Sequence, residues 1–95
     1  MQPSLFISHG SPMLALQPGA SGPALARIAA KLQRPDAIVV VSAHWESEAL
    51  RVMSNPRPQT WHDFGGFPAE LYQVQYPAPG HPQLAEDIVQ RLQAA

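Results

Sequence analysis

His9 and His44 each follow an apolar run that ends in small residues, Phe6-Ile7-Ser8-His9-Gly10 and Val39-Val40-Val41-Ser42-Ala43-His44. Neutral imidazole is a common ligand of divalent transition metals, so two histidines in matching local settings point to half of a metal site. The chain has no cysteine, which excludes thiolate ligands and leaves histidine, carboxylate or backbone oxygen to hold an ion. A ligating histidine usually donates its other ring N–H to an acceptor that orients it, and Ser11, Ser42 or a backbone carbonyl is the candidate acceptor here. The same histidines serve equally as hydrogen-bonding groups at strand ends, and the residues alone leave both readings open.

Other polar groups are weighed in the same way. His62 lies in Trp61-His62-Asp63-Phe64-Gly65-Gly66-Phe67-Pro68, which reads either as a packed loop with an exposed histidine or as a segment that contacts substrate. Asp63 either orients a histidine or caps a turn. Glu46, two residues after His44, would face the same side of an extended segment and is a formal third ligand; its alternative is a solvated glutamate beside Glu48. His81 reads as a solvated residue at a helix start, and Trp45 and Tyr72 as packing residues.

The elements that would position the histidines follow from hydrophobic pattern. Residues 4–8 and 37–42 read as strands, the second too apolar and β-branched for a surface, and residues 50–54 as a third strand nearer an edge. Between the first two, Gly22-Pro23 opens a helix in which Leu25, Ile28, Ala29 and Leu32 form one stripe, and Pro35 stops it. Gly10-Ser11-Pro12 is a turn in which Gly10 is free to adopt positive φ. Residues 68–72 suggest a short helical turn, and residues 82–93 a last helix burying Leu84, Ala85, Ile88 and Leu92. Strand, helix and strand make a βαβ unit, so the expected fold class is α/β, an open and largely parallel sheet flanked by helices. Adjacent parallel strands lie about 4.8 Å apart, and ligands of such sheets bind at the strands' C-terminal ends, which would bring His9 and His44 to one crevice.

Composition narrows the function classes. A net charge of −1 argues against a nucleic-acid or anionic-membrane binder. The N-terminus lacks the pattern of a secretory signal, and no run approaches the roughly 20 apolar residues of a membrane span, so the expectation is a soluble cytoplasmic protein. The 11 prolines, about twice the average usage of roughly 5%, fall in connecting segments and punctuate an ordered chain.

Taken together, Phe6-Ile7-Ser8-His9-Gly10-Ser11-Pro12, Ser42-Ala43-His44-Trp45-Glu46, His62-Asp63-Phe64-Gly65-Gly66-Phe67-Pro68, Leu71-Tyr72 and Gln75-Tyr76-Pro77-Ala78-Pro79-Gly80 closely resemble the N-terminal part of the DOPA-4,5-dioxygenase type of class III extradiol ring-cleavage dioxygenases, in the same order. The resemblance implies an α/β fold and one metal ion held in part by His9 and His44, with Fe(II) in the active enzyme and often Zn(II) in isolated protein. It implies a small aromatic diol and O2 as reactants, the ring opening beside the two hydroxyls, and it puts His62 near the substrate and off the metal.

Family members are longer, and their remaining metal ligand and acid–base histidine come from the C-terminal half, to which no position here corresponds. Residues 1–95 are therefore expected to be the N-terminal portion of one catalytic domain, inactive alone, with an open sheet edge and a need for a C-terminal portion, a complementing chain or a homo-oligomer. The competing expectations are a zinc-dependent hydrolase on a similar scaffold and a non-catalytic remnant or assembly subunit.

Overall fold

Two α-helices form where the sequence concentrates helix signals, and the computed structural model describes them within residues 2–95. Helix α1 spans Ser21–Lys31 and α2 spans Pro82–Ala94, and two short 3₁₀ helices lie at Pro12–Ala15 and Ala69–Gln73. The chain divides into two compact units: residues up to Asp36 with Phe64–Val74, and Ala37–Asp63 with Gln75–Ala95.

In the first unit Gly10 takes the left-handed conformation expected of it, with φ 69°. Ser11 then caps Pro12–Ala15, its hydroxyl accepting from the Met13 N–H at 3.1 Å. Helix α1 carries Pro23 in its first turn, where a missing N–H leaves no intrahelical bond unmade. It ends at Lys31, short of Pro35, because Leu32 turns extended (ψ 146°) while its N–H bonds the Ala29 carbonyl at 3.1 Å. The apolar stripe of α1 is only half covered, since Leu25 and Leu32 are half-buried and Ile28 is exposed. The core of this unit is Leu71, 2% exposed, on the 3₁₀ helix Ala69–Gln73, which packs beside Pro12–Ala15. Next to it Phe64 meets Phe67 edge-on at 5.3 Å and Tyr72 at 5.1 Å, and the Tyr72 hydroxyl donates to the Phe64 carbonyl at 3.2 Å. Tyr72 is thus a packing residue, as its sequence setting suggested.

The second unit is built on α2. His81 caps it, its Nδ1 accepting from the Leu84 N–H at 3.1 Å, and Pro82 follows at the first position. The cap satisfies one of the otherwise unpartnered N–H groups of the first turn. Of the expected stripe, Ala85 is buried, Leu84 and Ile88 are half-buried, and Leu92 is exposed. The entry to α2 is pinned where the Gly80 N–H donates to the Pro56 carbonyl at 3.0 Å. A Cβ at Gly80 would collide with the Asn55 carbonyl, so only glycine allows this approach.

The expected α/β sheet is not formed. Among the described residues no segment is a strand, and the three segments read as strands, 4–8, 37–42 and 50–54, have no ladder. Phe6 is fully exposed and Val41 is 98% exposed, the reverse of what a central parallel strand requires. β-branching and apolarity report that a segment suits a covered, pleated surface; they do not supply the neighbouring backbone and the covering helices that make one. The βαβ argument for joining His9 and His44 falls with the sheet, as does the expected open sheet edge.

Two stability outcomes follow from the unit built on α2. His81→Ala is expected to lower unfolding free energy by about 1 kcal/mol and His81→Asn to recover it, as read by urea unfolding followed by far-UV circular dichroism. Gly80→Ala, in the same assay, is expected to destabilise more than His81→Ala, because backbone rather than a flexible side-chain tip must move.

Candidate metal centre

Ser42 organises the backbone that presents His44. Its carbonyl accepts from the Trp45 N–H at 3.2 Å, and its hydroxyl accepts from the His44 N–H at 3.2 Å. Residues Ser42, Ala43, His44 and Trp45 therefore form a tight turn after the apolar run.

The ring of His44 is held separately. Its Nδ1 lies 2.7 Å from Oδ2 of Asp63, 19 residues along the chain in the same unit. An ionised carboxylate only accepts, so Nδ1 carries the proton and donates. In the neutral ring the lone pair is then on Nε2, the free ligand atom of a carboxylate–histidine–metal arrangement. The side chains of His44 and Asp63 are 72% and 62% exposed. A pair this exposed adds only ~0.2–1 kcal/mol to stability, so its effect is on orientation.

Of the acceptors the sequence offers, it is Asp63, 19 residues along the chain, and not Ser11 or Ser42, that meets His44 Nδ1. The signal available in the sequence was the carboxylate beside His62 in an aromatic and glycine-rich loop, readable as an orienter of some histidine but not of which one. Ser11 and Ser42 instead accept from backbone N–H groups.

His9 is exposed and belongs to the first unit, just before the Gly10 turn; His44 belongs to the second. His62 is half-buried in the second unit next to Asp63. Glu46 is exposed, and among the described residues no three histidine or acidic side chains group to hold a metal ion. Trp45, read as a packing residue, is 43% exposed. His81, left without a role in the sequence reading, is the cap of α2. No helix among the described residues is long and apolar enough to cross a membrane.

The family model described as "Catalytic LigB subunit of aromatic ring-opening dioxygenase" matches residues 3–95. The chain is 48% identical over 90 residues to the 4,5-DOPA dioxygenase extradiol of Escherichia coli (strain K12), covering 95% of this chain and 33% of that protein. It is 44% identical over 88 residues to the protein of the same description from Beta vulgaris, covering 90% of this chain and 33% of the relative. For the corresponding protein of Portulaca grandiflora the identity is 38% over 92 residues, covering 94% and 34%. The chain thus spans about a third of the length of these curated relatives. No solved structure matches it.

Proposed function

This chain belongs to the family of the catalytic LigB subunit of aromatic ring-opening dioxygenase, and on that premise we propose that it carries part of the centre of an extradiol dioxygenase acting on a small aromatic diol with O2. One observation carries the metal reading: Asp63 accepts a hydrogen bond from the Nδ1–H of His44, which in the neutral ring leaves the Nε2 lone pair for an ion. That donor set, imidazole nitrogen with no thiolate, suits divalent iron, and zinc can take the same atoms. His9 and His44 would hold the ion, Fe(II) for activity, with Zn(II) able to occupy the isolated protein. When bound, the ion supplies the redox and Lewis-acid chemistry that joins O2 to the ring.

The chain's own residues prepare that encounter. The ring of His44 is aimed by its hydrogen bond to Asp63, and its backbone is fixed by Ser42. His62, one residue before Asp63, is the group we assign to the substrate, where an imidazole can exchange a hydrogen bond with a diol hydroxyl. A further metal ligand and an acid–base histidine are ascribed to sequence corresponding to the rest of the relatives' length, on the same polypeptide or on a partner.

In the polypeptide as the cell makes it, His9→Ala and His44→Ala are each expected to abolish O2 uptake with a catechol and to lower bound metal. Activity retained in either variant would sink the ligand assignment. Turnover that persists without O2 would favour a zinc-dependent hydrolase and overturn the dioxygenase reading. His62→Ala is expected to keep its metal and lose about tenfold in kcat/KM, mostly through KM, the effect of one lost hydrogen bond; loss of metal would move His62 onto the ion.

A further inference from the structure

We propose that Asp63 is a positioning residue that sets the tautomer of His44 and so directs Nε2 to the metal, an inference that rests on His44 being a ligand. The 2.7 Å contact is short for a pair whose side chains are both largely exposed. Ser42 holds the His44 backbone through its hydroxyl, and the hydrogen bond on the ring itself is the one to Asp63. An unrestrained exposed imidazole divides its proton between two nitrogens and samples several rotamers, and only one combination offers the correct nitrogen to an ion. A carboxylate on Nδ1 removes both freedoms at once. Because Asp63 is exposed and outside the Phe64, Phe67 and Tyr72 cluster, replacing it leaves the apolar contacts of the chain in place.

The contact also has a rival meaning. A histidine carrying protons on both nitrogens would form an ordinary surface ion pair with Asp63 at the same distance, and it would oppose a cation. The two states differ in the nitrogen chemical shifts of the ring, which can be read without any metal.

The test uses the whole polypeptide as wild type, Asp63→Ala, Asp63→Asn and His44→Ala. Long-range nitrogen–proton correlation spectra of the metal-free proteins report the state of His44, and competition with a chelator gives the Kd for Zn(II). The expected result is a neutral His44 with the proton on Nδ1 in wild type and a mixture of tautomers in Asp63→Ala. Zn(II) binding in Asp63→Ala should weaken about 10- to 100-fold. Asp63→Asn keeps an acceptor oxygen and should fall between the two. A doubly protonated or Nε2-protonated His44 in wild type overturns the inference, and so does an unchanged Kd in Asp63→Ala. If His44→Ala loses Zn(II) while Asp63→Ala does not, the positioning role alone fails. If His44→Ala binds Zn(II) as wild type does, the ligand assignment fails and takes the positioning role with it.

Discussion

Leu71 and Ala85 are the hydrophobic side chains that the described residues withdraw fully from water, one in each compact unit. Burying one large aliphatic side chain contributes roughly 1.5–3 kcal/mol, far less than the ordering of a unit costs in chain entropy. Exposed polar contacts accompany these small cores and fix local backbone geometry. Ser11 caps one 3₁₀ helix, Asn55 accepts from the Arg57 N–H at 2.9 Å, Thr60 accepts from the Tyr76 N–H at 2.9 Å, and His81 caps α2. Helices of 11 and 13 residues are marginal without a packed face, and α2, with its cap, Pro82 and the Asp87–Arg91 pair at 3.0 Å, is the better supported.

The same economy shapes the candidate centre. His44 stands in water, where neither burial nor packing can aim a ring, and the task passes to hydrogen bonds at two levels: Ser42 on the backbone and Asp63 on the imidazole. On the proposed reading an ion must reach His44, which exposure permits, and a charged acceptor supplies the orientation that exposure removes. The loop that ends in Asp63 also carries His62, so the residue proposed to aim His44 and the residue proposed to meet substrate are neighbours in sequence. A change in that loop would move both.

The apolar runs show the cost of reading burial from composition. Ile38, Val39, Val40 and Val41 are all exposed, although their types suit the centre of a sheet. Side-chain pattern states what a segment would tolerate as surroundings. A strand exists only when another backbone meets its N–H and C=O groups, and these 95 residues form none among those described.

Features that depend on a few consecutive residues were legible in the order of amino acids. The 3.6-residue stripes and flanking prolines located α1 and α2, and Gly10 announced its positive φ, because each signal acts through steric and hydrogen-bonding effects inside one or two turns. His81 as a cap was within the same reach, since an imidazole nitrogen three residues before Leu84 can accept its N–H, but histidine is a less usual cap than serine, threonine, asparagine or aspartate. Family membership was legible too, through motifs in a fixed order. Tertiary structure alone decided which carboxylate meets His44 and whether the apolar runs find partners. Both outcomes depend on how segments far apart in the chain come together, 19 residues apart for His44 and Asp63, and no local preference encodes that distance.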